Sequence, residues 1–266
     1  MAGKLKVDQL ETVAGSGTIT INNDVAMAAT KTLPAASLTG ALPAIDGSNL
    51  TGMGGGLTSM QVFISTGTWT KPAGITKVKV YVTGGGGGGG GGSGSYNSGG
   101  GGGAGGTSVK FIDVSSISSE TATVGTAGSA GATTGDGGNG GTSSFGSHCT
   151  GVGGLGGHSA WSPNTAGFGI GGDATNGLFD VKGGDGGPSG GGNEEDQPNS
   201  NSSGGASFWG GGGQGGAVGD TNDAATMAGK VGKAYGSGGG GGNAEASTTY
   251  VGGAGKVGII LVEEYA

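Results

Sequence analysis

Nine consecutive glycines, residues 84–92, constrain this chain more than any other feature. Glycine loses more backbone entropy on ordering than any other residue, by roughly 0.5–1 kcal/mol relative to alanine. Around this run the glycines recur with a local period of three. Copies are Gly137-Gly138-Asn139-Gly140-Gly141, Gly153-Gly154-Leu155-Gly156-Gly157, Gly183-Gly184-Asp185-Gly186-Gly187 and Gly212-Gly213-Gln214-Gly215-Gly216. Three residues per turn is the period of a polyproline-II-type helix, which has no internal hydrogen bonds. Two of the three edges of a Gly-Gly-X rod lack side chains, so such rods can pack at backbone contact distance. Their peptide groups then find partners between rods. The X residues are expected to face solvent or a thin apolar layer. At ~3.1 Å per residue, residues 84–92 make a rod about 28 Å long.

A flexible linker is the competing reading of so much glycine. Linkers are usually rich in charge and poor in β-branched and aromatic residues. Here 75 of 266 residues are glycine, only 11% are charged, and strand-like segments bracket the runs. Order is therefore the reading adopted.

The bracketing segments are Gln61–Ser65, then Lys77–Val82, in which Val78, Val80 and Val82 share one face by alternation. Ser108–Val114, a weaker Glu120–Val124 and Lys256–Val262 follow. Trp69-Thr70-Lys71-Pro72-Ala73-Gly74 reads as turn chemistry. The expected fold is all-β and irregular. Strands within 61–83, 107–125 and 256–264 frame polyglycine helices at 84–106 and 131–255.

Residues 1–83 hold 11 glycines, 6 lysines and 4 acidic residues; residues 84–266 hold 64, 5 and 14. The domain boundary is placed at Gly54-Gly55-Gly56, giving an N-terminal segment 1–56 and a glycine-rich domain 57–266. The first contains an imperfect repeat, Leu33-Pro34-Ala35 to Leu38-Thr39-Gly40 and Leu42-Pro43-Ala44 to Leu50-Thr51-Gly52. A segment this short has too little core to fold alone and is expected to be an intertwined oligomer.

Net charge is −7 and arginine is absent, which argues against nucleic-acid binding. No apolar run approaches the ~20 residues needed to span a bilayer, so membrane insertion is not expected. The start, Met1–Asp8, has no apolar stretch of signal-peptide type. A single cysteine forbids an intrachain disulfide framework. His148, Cys149 and His158 offer three soft ligands without a fourth, and neighbouring His148 and Cys149 are expected on opposite strand faces. Nucleophile elbow, P-loop and HExxH signatures are absent, and no enzyme, catalytic residue, metal or cofactor is expected.

If the glycine rods are a scaffold, chemistry belongs in the richer loops between them. Receptor-contact candidates are Tyr96, Asn97, His158, Trp161, Asn164, Glu194, Glu195, Asp196, Asn199 and Tyr250. Amphipathic rings such as Tyr96, Trp161 and Tyr250 suit interfaces, though they also suit small apolar layers between rods. Glu194-Glu195-Asp196 reads as a solvated acidic loop in preference to a calcium site.

Residues Val62–Gly74 with Lys77–Val80 and the glycine run are similar to the opening of the glycine-rich domain of phage tail-fibre proteins. Gly140–Gly146 resembles an internal motif of that domain, and Gly258–Tyr265 resembles its closing strand. Leu42–Gly52 resembles tail-fibre shaft sequence. The resemblance implies a homotrimeric fibre protein located in the virion. Other virion tail proteins would bind its N-terminal segment, and a host surface glycan or outer-membrane protein its distal domain. A non-adhesive capsid fibre or decoration protein is the alternative. An ice-binding protein is a second, although the X positions lack the regular threonines that function needs.

Overall fold

The computed structural model describes residues 56–94, 97–159, 167–191, 202–217, 227–244 and 248–266. The chain separates into two compact units, Met1–Gly52 and Met53–Ala266, and the described residues all belong to the second. They form an all-β structure with no α-helical element. Seven receptor-contact candidates, Tyr96, Trp161, Asn164, Glu194, Glu195, Asp196 and Asn199, lie outside the described residues, as does the repeat at 33–52.

The strands are β1 (Leu57–Phe63), β2 (Gly67–Thr70), β3 (Lys77–Thr83), β4 (Asn97–Ser98), β5 (Thr107–Asp113) and β6 (Ser119–Thr123). They continue with β7 (Ser143–Phe145), β8 (Cys149–Gly151), β9 (Ala174–Thr175), β10 (Phe179–Val181), β11 (Gly190–Gly191) and β12 (Ile259–Tyr265). One antiparallel sheet has the order β1-β12-β3-β5-β10, a second β2-β6-β7-β8-β9, and β4 pairs with β11. The alternation in β3 is realised: Val78, Val80 and Val82 are fully buried between the two sheets. Ile112, Val114, Ala122, Phe145, Cys149, Ile260 and Val262 complete this core. Trp69 and Phe145 meet edge-on, with centroids 5.8 Å apart.

One sequence expectation is corrected here. Trp69 and Thr70 are not turn residues but the end of β2, paired with Glu120 and Ser119 of β6. Burial of the Trp69 ring in the sandwich outweighs the local turn signal, and the turn itself falls at Pro72–Gly74, where Gly74 has φ +83°. The region 131–255 likewise is not rods alone, since β7 to β11 interrupt it. The first peripheral rod begins earlier than expected, at residue 125.

The glycine segments form rods joined by inter-segment hydrogen bonds of period three. In the rod at 84–92, Gly84, Gly87 and Gly90 donate to Gly106, Gly103 and Gly100. Gly85, Gly88 and Gly91 donate to Gly141, Gly138 and Gly135, and Gly86, Gly89 and Gly92 to Lys256, Gly253 and Tyr250. Each donor triplet steps along a different antiparallel neighbour. The carbonyls point the other way: those of Gly85 and Gly88 accept from Gly154 and Gly157, those of Gly86 and Gly89 from Gly128 and Gly131, and those of Gly87 and Gly90 from Gly239 and Gly242. These three neighbours run parallel. Six neighbours, three antiparallel and three parallel, make the packing hexagonal.

The same register extends through the described residues in four rows. The rows are 137–141, 152–158 and 167–173; then 125–132, 84–92, 99–106 and 183–187; then 250–256, 237–243 and 202–206; then 229–232 and 212–216. Three rods, 84–92, 99–106 and 237–243, are surrounded on all six sides. They contain the long glycine runs, because an interior rod leaves little room for a side chain; the buried Ala104 methyl is the exception within them. A Cβ on any residue of 84–92 would meet neighbouring backbone at 1.9–2.6 Å. None of these nine glycines has positive φ. Close approach, not conformational freedom, is what requires glycine there. The Gly-Gly-X rods occupy the perimeter, with X on the open edge.

Rods and strands share nearly the same extended backbone, so one passes into the other with little change in dihedral. β3 enters the rod at 84, the rod ending at 106 enters β5, and residue 258 leads into β12. Hydroxyls satisfy backbone groups at this seam. Ser143 Oγ donates to Thr83 O (2.7 Å) and accepts from Gly125 N (2.8 Å). The domain therefore has a sandwich pole, where Leu57 pairs with Tyr265, and an opposite pole where the rods end.

Candidate functional site

The lattice direction decides what stands at the free pole. Residues 92, 132, 158, 187, 216 and 243 end rods that run away from the sheets, and residues 99, 137, 167, 202, 229 and 250 begin rods that return. The connections between them are the richer, non-repeating segments of the sequence. Asn97, His158 and Tyr250 are thus brought to one end of the domain. The described residues flanking each undescribed candidate segment are at that end too: Gly94 and Asn97, Ser159 and Gly167, Gly191 and Ser202.

Each described candidate has a defined setting. Asn97 lies in β4, opposite Gly191, and is half-buried. The Tyr250 backbone closes the lattice by a reciprocal pair with Gly92, N–H to O at 3.0 Å and O from N–H at 2.9 Å. His158 Nδ1 lies 3.2 Å from Asp136 Oδ2, and Asp136 Oδ1 accepts from Ser159 N (2.6 Å). Partial burial pushes the Asp136 carboxyl up, but the hydrogen bonds from Ser159 and His158 outweigh it and leave it below the ordinary aspartate value.

Asp136 belongs to a set that the sequence reading did not single out. Asn139 Oδ1 accepts from Gly156 N (2.8 Å), and Asp185 Oδ1 accepts from Gly171 N (2.8 Å). These X positions do more than face solvent. Their side chains replace the carbonyl of an absent next rod, satisfying amides on the perimeter. The signal was present in the sequence: a short Asx acceptor spaced three residues from the next, at 136 and 139.

A cavity of about 440 Å³ opens at the same pole, lined by Ser93, Gly94, Thr134 and Thr249. Ser93 Oγ, Ser202 Oγ and Asn243 Oδ1 are buried and have no hydrogen-bond partner among the described residues. All three stand where a rod begins or ends at this pole. Buried polar groups are normally paired, and exceptions collect at functional sites.

Elsewhere the chemistry is structural. Cys149 is buried and its thiol is pushed up to about 11 by burial, so it is protonated at neutral pH and a poor nucleophile. The adjacent His148 turns to Glu120 Oε1 at 3.3 Å. Trp209 is at the seam between sandwich and rods, where its Nε1 donates to Thr83 Oγ1 (2.8 Å) and its ring packs on Tyr81. Glu264 is buried in the sandwich and accepts from Ser59 Oγ, Gln61 Nε2 (2.7 Å) and Trp69 Nε1 (2.7 Å). Among the described residues no group of three or more His, Cys, Asp or Glu could hold a metal ion.

Comparison with curated proteins finds no match. A family model described as a glycine-rich domain matches residues 58–265, which is most of the chain and spans both sandwich and lattice. The chain belongs to that glycine-rich domain family.

Proposed function

We propose that the protein is a phage tail-fibre component whose glycine-rich domain binds the host cell surface through the rod-end loops. The observation that carries this reading is polarity. The glycine-rich domain begins at Leu57 on the sandwich pole, and the described residues that flank the sequence-diverse connections are at the opposite pole, beyond a lattice fixed by backbone hydrogen bonds. Strand β3 and the rod that follows span roughly 50 Å at ~3.1–3.3 Å per residue. A binding surface held this way gains by being preorganised. The orphaned polar atoms and the cavity at the loop pole add support. The target is a host glycan or outer-membrane protein, and residues 1–56 join the chain to two further copies and to the virion tail. Neither catalysis nor a cofactor enters this reading.

Purified protein is expected to block phage adsorption to susceptible cells; no competition at saturating concentration would contradict the proposal. The non-adhesive virion reading predicts instead a label on the capsid of intact particles. Ice binding is disfavoured by the perimeter, where Asn139, Leu155 and Ile170 break any regular threonine array.

A further inference from the structure

The outer face of the β1-β12-β3-β5-β10 sheet is unusually apolar for an exposed surface. Cross-strand register aligns Val62, Leu261, Tyr81, Val109 and Phe179 in one row, and Met60, Glu263, Lys79 and Phe111 in the next. Leu57 lies beyond them opposite Tyr265, and Phe208 packs on Tyr81 from the side. Leu57, Met60, Val62, Phe111, Phe179 and Phe208 are 46–58% exposed. At on the order of 100 Å² for each half-exposed large side chain, they expose roughly 600 Å². That is the upper limit for the largest patch on a typical monomer. It approaches the ~800 Å² per partner of a standard interface. One edge of this sheet is β1, whose seven residues include neither a charge nor a proline, the usual protections of an open edge.

We infer that this face is the contact between glycine-rich domains of neighbouring copies of the chain, an inference that rests on the self-association proposed for residues 1–56. Charge permits a like copy as the occupant. Residues 57–266 carry 8 lysines against 14 acidic residues, and those among the described residues balance, 8 against 8. The outer face is itself neutral: Lys79 pairs with Glu263 at 3.9 Å, and Lys77 stands opposite Asp113. Area and internal charge pairing together let copies close on this face without repulsion. β1 is also the strand that follows residues 1–56 in the chain, so association there continues the association proposed for that segment. Contact through the sandwich sheet leaves every loop pole free.

The test uses the full-length chain with a cysteine placed on the face, Met60→Cys, and a control cysteine at the loop pole, Thr134→Cys. Cys149 is fully buried and does not compete. A short bis-maleimide at low micromolar chain concentration is expected to join Met60→Cys chains covalently and to leave Thr134→Cys chains single. Adding Val62→Asp and Phe111→Asp, both at exposed positions, is expected to lower the Met60→Cys yield at least about tenfold, as loss of two interface anchors should. Near-UV circular dichroism checks that the sandwich is retained. If sedimentation shows an oligomer but Met60→Cys links no better than the control, the inference fails while self-association of residues 1–56 stands. If the full chain sediments as a monomer, both fail.

Discussion

The sandwich and the rod lattice are held together by opposite means. In the sandwich, side chains do the holding: Val78, Val80, Val82, Ile260 and Val262 fill the space between the sheets. In the lattice nearly all side chains are absent, and the backbones themselves close the gap, successive interior amides donating to different neighbours. The sandwich tolerates a change of shape and loses stability as volume is removed. The lattice loses it as volume is added. The entropy that glycine gives up on ordering is offset by hydrogen bonding that no rod with side chains on every edge could reach.

The sharpest way to break this contrast is Gly88→Ala. Its Cβ would sit 1.9 Å from Ser129 O, backbone that cannot yield without displacing the 125–132 rod. The expected cost is on the order of 4 kcal/mol or more, read as a fall in the denaturation midpoint. Gly211→Ala, where no atom lies within 4 Å, is the control and is expected to be neutral or slightly stabilising. In the sandwich the corresponding change is a deletion. Ile260→Ala removes a fully buried side chain and is expected to cost about 2–5 kcal/mol by chemical denaturation.

Glu264 probes the polar side of the sandwich. A carboxylate accepts from Ser59, Gln61 and Trp69 together, whereas an amide turns a donor toward one of them. Glu264→Gln is expected to cost about 1–3 kcal/mol and to shift Trp69 fluorescence. At the lattice perimeter the effect is smaller. Asn139→Ala removes the acceptor for Gly156 N and should cost about 0.5–1.5 kcal/mol, with faster exchange of the Gly156 amide and little change at Gly88.

The smallest effect is one of pH. The Asp136 carboxyl is below its ordinary value in the folded protein, so its contribution is present above the unfolded aspartate value of about 3.9 and is lost as pH falls through the folded one. Exchange of the Ser159 amide, measured against the intrinsic rate, should lose protection below about pH 4 while the sandwich amides keep theirs.

Much of the fold was legible because both regions write a period into the sequence. β3 alternates apolar and polar residues, and the Gly-Gly-X copies repeat every third. Strand positions at 77–82, 108–114 and 120–124 fall within a residue of β3, β5 and β6. The lattice register was not legible, because it is set by long-range pairs such as Gly86 with Lys256, which local pattern does not encode. Trp69 was misplaced because proline and glycine nearby give a strong local turn signal, while its burial depends on Phe145, far along the chain. The run lengths held unread information: long glycine runs mark interior rods, and Gly-Gly-X marks the edge. Asn97, His158 and Tyr250, singled out from composition, lie at the loop pole. Asp136, Asn139 and Asp185 were missed because their role is fixed by a neighbouring rod.

Amide hydrogen exchange on glycine-labelled, full-length protein tests the central claim most directly. The account predicts that amides in 84–92, 99–106 and 238–242 exchange slowly and open together with the sandwich strands. Exchange of those glycines at the rate of an unstructured peptide, with the sandwich strands still protected, would contradict it.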